Sequence, residues 1–364
     1  MLNSRFGQPI ITYRVYAWSL PLIRPVTMKD RLLDQRQGLL LQLRDASGYE
    51  GWGEVAPFAG LQPESLEQAQ AQLRQKLADL EGKLLMGFVE PDWPGSDTFA
   101  SVAFGLEMAL LNLRAARQGK DPAELLDPHP RPEVELNALL TGSAEVVLAD
   151  AESLLHQGYQ AFKLKVGHQP EADAELVREL RRQLGPGIRL RLDANRSWSL
   201  AQALAFGHAT ADCDIDYLEE PVANVDHLNH FHQETGIALA LDESLIEPGD
   251  PKRFLPGGPT PVEGLKALIL RPNVRGGLHL PLSLADSGLQ LILSSAFESG
   301  VTLAMLVNLA ACLPDLPMGL DTCRWLASDL LEQPIPITNG RISVAEATAS
   351  ARHIDLTKLQ SLTS

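Results

Sequence analysis

The region from about residue 134 to residue 322 repeats one pattern: a short apolar segment that ends in polar residues, then a stretch of helical character. Apolar residues in the linking stretches recur at spacings of three and four, which indicates amphipathic helices. Strands that alternate with helices pair in parallel, and eight such units predict a parallel α/β barrel. The candidate strands are VELNALLTG, YQAFKLKVG, IRLRLDAN, DYLEEPV, IALALDES, ALILRPN, LQLILSS and, with a weaker pattern, MGLDT.

Two further regions flank the predicted barrel. Residues 1–130 contain three strand-like segments followed by helical stretches at about residues 63–80 and 101–116, which predicts an α+β capping domain. The barrel is predicted to span residues 131–324. Residues 325–364 contain the strand-like segment EQPIPITNGRISV and are predicted to return to the capping domain.

The charge of the chain argues against several kinds of partner. Of its 364 residues, 31 are Lys or Arg and 46 are Asp or Glu, which gives a formal net charge of −15. Nucleic acids and anionic membranes need a basic surface, so we expect a small-molecule partner instead. No apolar run approaches the length that spans a bilayer. The sequence leaves the oligomeric state open.

The cysteines and the N-terminus bear on the compartment. Cys213, Cys312 and Cys323 are odd in number and lack metal-ligand spacing, as expected of reduced, buried thiols. The N-terminus lacks the charged start, apolar core and cleavage site of a secretory signal. We therefore expect a cytoplasmic enzyme.

Acidic residues follow three successive candidate strands. LDAN contains Asp193, LEEP contains Glu219 and Glu220, and LDES contains Asp242 and Glu243. Adjacent strand residues point to opposite faces, so one acid of each pair can face the barrel mouth. Carboxylates gathered at one place repel each other unless a cation neutralises them, and such oxygen ligands suit Mg²⁺. The alternative is that these acids cap helices or lie in solvated loops.

Lys163 and Lys165 are spaced two apart in the strand YQAFKLKVG, so both point to one face. A partly desolvated lysine beside a metal ion and another ammonium has its charged form disfavoured, which lowers its pKa and lets it accept a proton. Lysine and a divalent ion together predict removal of a proton α to a carboxylate. The alternative is a structural pair that neutralises the acids.

Several motifs in order along nearly the whole chain carry a resemblance to a known family. They are FKLKVG, RLDANRSW, YLEEPV, LALDES, GLKALILRPN, LILSSAFES, YEGWGEVAPFAGLQPESLEQAQ, ASVAFGLEMAL and PMGLDT. Together they resemble the muconate-lactonising branch of the enolase superfamily, and more closely its proteobacterial ortho-succinylbenzoate synthases. The resemblance implies a TIM-like (β/α)7β barrel with an α+β capping domain. It also implies a carbon–oxygen lyase of menaquinone biosynthesis that dehydrates a cyclohexadiene hydroxy acid (SHCHC) to 2-succinylbenzoate.

The resemblance also implies roles for individual residues. Lys165 corresponds to the base that removes the α proton, and Lys163 to the lysine that holds the enolate. Asp193, Glu219 and Asp242 correspond to the Mg²⁺ ligands, with Mn²⁺ as the alternative ion.

Further positions correspond to the substrate site and to a lid. The segment PLIRPVTMKDRLLDQRQG, near residues 20–38, matches the family's mobile loop. The positions that match substrate-binding residues are Ser294, Ser295, Gly319, Arg191 and Asn195.

Arg271 departs from the family pattern, which usually has lysine at the end of the sixth strand. Arginine stays protonated in proteins, so Arg271 is a poor second acid or base, although it offers a fixed cation over the substrate. Lys266, five residues earlier, lies on the opposite strand face. Racemases of this branch need a base on each face of the α carbon, whereas a syn dehydration needs Lys165 alone.

The alternatives are another dehydratase of the superfamily, an N-succinylamino acid racemase, or a catalytically idle barrel that only binds a ligand. The 22 residues between Arg271 and Ser294 also predict an abbreviated sixth helix.

Overall fold

The computed structural model describes residues 10–28, 31–80, 95 and 97–362. The described strands, in chain order, are β1 (Ile10–Met28), β2 (Arg31–Asp45), β3 (Glu50–Val55), β4 (Glu133–Glu135), β5 (Ala138–Leu140), β6 (Ala161–Lys165), β7 (Arg189–Asp193), β8 (Ile215–Glu219), β9 (Leu239–Leu241), β10 (Leu265–Leu270), β11 (Gln290–Leu293), β12 (Arg341–Ser343) and β13 (Gln360–Ser361). The described helices are α1 (Leu66–Leu80), α2 (Ala100–Gln118), α3 (Ala123–Leu126), α4 (Ala144–His156), α5 (Pro170–Leu184), α6 (Leu200–Ala209), α7 (Asp226–Thr235), α8 (Glu243–Ile246), α9 (His279–Ser283), α10 (Gly300–Ala310) and α11 (Val344–Ser350). Short 3₁₀ turns are Pro251–Phe254, Ala285–Ser287, Asp321–Trp325 and Leu356–Lys358.

The first sheet is antiparallel, with strand order β13-β1-β2-β3. Its β2 segment reads LLLQL because both faces of the strand are covered. Leu39, Leu41 and Leu43 pack with α1 and α2, whereas Leu40 points the other way into the apolar core of the barrel. The side chains of β2 therefore alternate in direction as in any strand, although the residues on both faces are apolar.

Glycines let β3 lie directly on α2. A Cβ at Gly51 would overlap the backbone of Ala109, and a Cβ at Gly53 would overlap the carbonyl oxygen of Gly105. Backbone atoms cannot yield as the end of a flexible side chain can, so glycine is required at this crossing.

The second sheet is parallel, with strand order β11-β10-β9-β8-β7-β6-β5. The weak eighth segment is not a strand in the structure, but it joins the two edges of the sheet through single bridges. Met318 bridges to Leu136 beside β5, and Gly319 bridges to Ser294 after β11. The predicted fold, an enolase-type barrel with an α+β capping region, is confirmed.

Local sequence explains where several helices around the barrel begin and how long they are. Ser143 caps α4 through its hydroxyl, and Ser199 and Gln202 form a reciprocal capping box on α6. The connection from β10 to β11 contains only the five-residue α9 and a 3₁₀ turn among its described elements, so the predicted short sixth helix is confirmed. No described helix is long and apolar enough to cross a membrane.

The segment predicted as a lid loop is a β-hairpin in the described residues. Residues 20–28 extend β1 and residues 31–38 begin β2, with an irregularity in pairing between Pro21 and Val26; the tip, residues 29–30, lies outside the described residues. The two strands pair on both sides of this irregularity, up to Pro21 with Gln35 and again from Val26 with Leu33. The hairpin contacts the segment after the barrel through a Leu22–Leu326 bridge.

The chain end also contacts the first sheet, since β13 pairs with β1 at Tyr16 and Ala17. Strand β12 pairs with β4. The boundaries at residues 130 and 324 stay predictions.

We predict that Gly53→Ala lowers the free energy of unfolding by about 3 kcal/mol, because α2 must move away from β3. Gly119→Ala is the control, because it also adds a methyl group but nothing lies within 4 Å of that position. At Gly119 only the left-handed backbone is strained, which costs about 1 kcal/mol. Urea unfolding measures both, and equal losses would contradict the packing explanation.

Candidate active site

The strand register brings the predicted residues together at the carboxyl ends of β6, β7 and β8. Lys165 lies opposite Asp193, and Asp193 lies opposite Glu219. Asp242 directly follows β9 and Arg271 directly follows β10. Parallel barrels expose these ends at one mouth, so the residues meet although they are distant in sequence.

Both lysines bind the same carboxylate. Lys165 Nζ lies 2.6 Å from Asp193 Oδ2, and Lys163 Nζ lies 2.9 Å from that oxygen. Lys163 also donates to Glu219 Oε1 at 2.9 Å. Lys163 is buried, at 7% exposure, whereas Lys165 is more open and also donates to the Asn195 side chain at 2.6 Å. The two lysines thus share one face, as the sequence predicted.

The charges of this cluster change the pKa of its members. Burial alone would raise the pKa of Asp193, but Lys163 and Lys165 more than offset that and hold it well below its usual range. Burial alone would lower the pKa of Lys163, but Asp193 and Glu219 outweigh burial and raise it. The lowered lysine pKa that the sequence predicts is for a lysine beside a bound metal ion, and it stays a prediction.

Glu219 keeps unsatisfied bonding capacity. Burial and the neighbouring Asp193 raise its pKa well above the usual range. Its Oε2 lies 2.7 Å from Lys163 Nζ but outside hydrogen-bond geometry, and it has no hydrogen bond to the described residues. This oxygen is held by the ion pair with Lys163 alone, and a metal ion that replaces that partner would restore its charge balance.

Arg271 holds Asp242. Its Nε lies 3.0 Å from both carboxylate oxygens, and its Nη2 lies 2.6 Å from Oδ2. Burial opposes ionisation of Asp242, but Arg271 outweighs it and lowers the pKa of the carboxyl. Arg271 also donates from Nη1 to the carbonyl of Ser295 at 3.1 Å. The arginine therefore links the end of β10 to the ends of β9 and β11.

The other acid of each pair points elsewhere. Glu220 accepts hydrogen bonds from the backbone of Asp242 and Ser244 and pairs with Arg196 at 2.9 Å. Glu243 accepts from Asn195 Nδ2 at 2.9 Å, and burial followed by the charge of Asp242 raises its pKa to about 7. Glu220 thus orients the backbone of Asp242, a role that the sequence did not reveal.

The donor set suits a hard divalent ion in residue type and in position on neighbouring strands. Asp193, Glu219 and Asp242 supply six carboxylate oxygens, of which Glu219 Oε2 lacks a hydrogen bond. Their oxygens are turned towards Lys163, Lys165 and Arg271, and within the described residues no three His, Cys, Asp or Glu side chains form a ready metal cluster. Ligation therefore requires these side chains to exchange a cationic partner for the ion.

Three of the predicted substrate-binding positions lie at the end of β11. Ser295 Oγ contacts the Gly319 carbonyl at 3.2 Å and Thr322 Oγ1 at 2.7 Å. Gly319 lies close to Ser294, since a Cβ there would sit 3.3 Å from the Ser294 hydroxyl. These residues neighbour the cluster through the Ser295–Arg271 hydrogen bond.

Arg191, which the sequence predicts to be near the substrate, lies inside the barrel in the structure. This side chain is fully buried, pairs with Asp216 at 3.1 Å and donates to Asn137 Oδ1 at 2.9 Å. Its position two residues before Asp193 places it inside the barrel below the mouth, on the same strand face. Arg191 supports the barrel interior, because a buried arginine needs this many acceptors.

Sequence reasoning missed the contacts that the first sheet makes with the mouth. Arg36 donates to the carbonyl of Phe297, and Glu54 accepts from Ser299. Phe297 and Ser299 lie in LILSSAFES, one of the motifs on which the resemblance rests, so the sequence did point to that segment. The sequence did not indicate the contacts of Arg36 and Glu54, because they join residues 261 and 245 positions apart.

Comparison with known proteins shows the family of this chain. A family model described as "Enolase C-terminal domain-like" matches residues 146–348, and one described as "MenC, N-terminal domain" matches residues 10–113. An o-succinylbenzoate synthase of Shigella flexneri is 32% identical over 346 residues, which cover 90% of this chain and 97% of that protein. The chain belongs to the o-succinylbenzoate synthase family of the enolase superfamily. It is an enzyme, as predicted, and members of this superfamily typically use a divalent metal ion.

Two further proteins are similar to this member of the o-succinylbenzoate synthase family. "Protein PHYLLO, chloroplastic" of Arabidopsis thaliana is 32% identical over 364 residues, which cover 86% of this chain but 21% of that protein. The muconate lactonizing enzyme of Pseudomonas fluorescens, solved with muconolactone, has a TM-score of 0.83 and 22% identity, covering 97% of this chain and 98% of that one. The structural likeness shows the shared fold.

We predict that Lys163→Met lowers the free energy of unfolding by about 3–5 kcal/mol in EDTA at pH 7, since it leaves Asp193 and Glu219 buried without their shared cation. Lys266→Met is the matched control: it also loses an acid pair, with Asp216 at 2.7 Å, but its side chain is 39% exposed. Such a pair is worth about 1 kcal/mol or less. Urea unfolding compares them, and a loss for Lys163→Met as small as the control's would refute the account of the cluster.

Proposed function

We propose that this protein catalyses the divalent-metal-dependent syn dehydration of SHCHC to 2-succinylbenzoate, in menaquinone biosynthesis. The observation that carries the proposal is the shared contact of Lys163 and Lys165 with Asp193, at strand ends beside Glu219 and Asp242. Family membership supports the choice of substrate.

Lys165 is the proposed base. It removes the proton α to the substrate carboxylate, the electron pair forms the ring double bond, and the C–O bond to the hydroxyl breaks. Lys165, now protonated and on the same face, returns that proton to the leaving hydroxyl as water departs. Lys163, buried and cationic, binds the carboxylate oxygens as negative charge develops on them.

Asp193, Glu219 and Asp242 are the proposed ligands of a divalent ion, Mg²⁺ by preference and Mn²⁺ as the alternative. When bound, the ion would stabilise the negative charge that develops on the substrate carboxylate. The unsatisfied Oε2 of Glu219 supports this assignment.

Arg271 favours dehydration over racemisation. Burial would lower its pKa, but Asp242 outweighs burial and raises the pKa further above its already high value. A guanidinium in that state does not accept a proton, so Arg271 is no second base for exchange on the opposite face of the α carbon. Syn dehydration, which uses one face, tolerates this substitution.

The predicted cytoplasmic location agrees with a water-soluble substrate and with unpaired cysteines; Cys213, Cys312 and Cys323 are free thiols in the described residues.

We expect purified protein with Mg²⁺ to consume SHCHC in an ultraviolet assay. EDTA should abolish turnover, and Lys165→Ala should lower kcat by about 10²–10⁴-fold because the general base is lost. Lys266→Ala, a lysine on the opposite strand face, is the control and should keep wild-type activity.

Absence of turnover from folded, Mg²⁺-loaded protein would rule out this reaction. Exchange of the α hydrogen of N-succinylamino acids in D₂O would then identify a racemase. Metal binding with neither activity would identify a ligand-binding barrel.

A further inference from the structure

Arg36 lies in β2, opposite Leu20 of β1, yet its side chain is only 4% exposed. Among the described residues no carboxylate lies within 4 Å of its guanidinium nitrogens; the guanidinium instead donates to three backbone carbonyls, those of Ala56 at 3.1 Å, Pro57 at 3.3 Å and Phe297 at 3.3 Å. Arginine offers several donors in a rigid plane, so one side chain can bind all three carbonyls at once.

These carbonyls belong to two separate loops. Ala56 and Pro57 follow β3 in the first sheet, and Phe297 follows β11 in the barrel. The guanidinium also lies over the Phe58 ring, 4.6 Å from its centroid, and that ring stacks on Phe297 at 6.2 Å. Arg36 therefore clamps the loop after β3 to the loop after β11.

The second of these loops is strained. Phe297 has a φ of 59°, in the left-handed region that a bulky residue rarely adopts. Arg36 holds its carbonyl, Thr322 Oγ1 accepts from its backbone N–H at 3.1 Å, and Trp325 packs edge-on against its ring at 6.3 Å. Such a conformation persists only where its surroundings determine it several times over.

The same loop begins at the candidate site. Ser294 and Ser295 lie two or three residues before Phe297, and the carbonyl of Ser295 accepts from Arg271, which binds Asp242. A change in the backbone at Phe297 therefore alters the serines. Glu54 binds Ser299 beyond the loop independently, so the loop keeps one attachment to the first sheet when Arg36 is changed.

We propose that Arg36 is a positioning residue for substrate binding: by clamping the two loops together, it sets the backbone that carries Ser294 and Ser295 against the substrate's side chain. The role in binding rests on the proposed function. Arg36 itself touches none of the predicted acid, base or metal-ligand side chains, so its effect falls on substrate affinity and not on the chemical step.

Arg36→Lys tests the clamp, because it keeps the positive charge and loses the planar set of donors. Arg44→Lys is the matched control, since it lies on the same strand with a side chain 55% exposed. Hydrogen exchange without ligand should become at least about threefold faster in peptides covering residues 294–299 of Arg36→Lys, with β6 to β8 unchanged. Unchanged exchange in that loop would overturn the proposal.

In kinetics with SHCHC, Arg36→Lys should raise KM and the dissociation constant of 2-succinylbenzoate about tenfold, with kcat within about threefold of wild type. Mn²⁺ affinity should match that of Arg44→Lys. A fall in kcat at constant KM, or a raised KM without faster loop exchange, would overturn the proposal. If the wild type does not turn over SHCHC, the proposed function fails, and the hydrogen-exchange measurement alone decides whether Arg36 orders the loop.

If circular dichroism shows that the Arg36→Lys variant is unfolded, Arg36→Gln replaces it in the same assays.

Discussion

The barrel mouth depends on the pairing of buried charges. Removing a carboxylate or a cation from water costs several kcal/mol, which only close opposite charges and hydrogen bonds offset. Asp193 and Asp242 meet this requirement through Lys163, Lys165 and Arg271, and their pKa values are lowered. Glu219 meets it incompletely, and its pKa is raised. Glu219 is therefore the carboxylate that most favours exchange of its cationic partner for a divalent ion, which is the physical basis of the proposed chemistry.

Much of this arrangement could be predicted from the sequence, because it follows from strand periodicity. A spacing of two puts Lys163 and Lys165 on one face, and acids at successive strand ends must converge in a parallel barrel. The choice between Glu219 and Glu220 needed the register, since alternation says that one of them faces the mouth without saying which. Arg191 and Asp193 are two residues apart, so alternation puts both on the same strand face. They differ in depth along the strand, because Arg191 lies in the barrel interior and Asp193 at the mouth.

The rest depends on contacts between distant parts of the chain. The resemblance implies a mobile loop near residues 20–38, whereas in the described residues most of this segment is formed by the pairing of β1 with β2. The clamp at Arg36 joins residues 261 positions apart and has no periodic signature. Glycines at β3 allow this sheet to approach α2. The first sheet therefore contributes to the site through the side chains of Arg36 and Glu54, which bind the loop after β11, rather than through predicted catalytic residues.

The central claim is that the carboxylates exchange cationic side chains for a divalent ion. A crystal structure of the protein soaked with Mn²⁺, with anomalous scattering recorded, tests it most directly. We expect one strong peak within about 2.0–2.3 Å of oxygens from Asp193, Glu219 and Asp242, with Arg271 moved off Asp242. A saturated crystal in which Arg271 and Lys163 keep their carboxylates, with the ion elsewhere or held by Glu220 or Glu243, would contradict it.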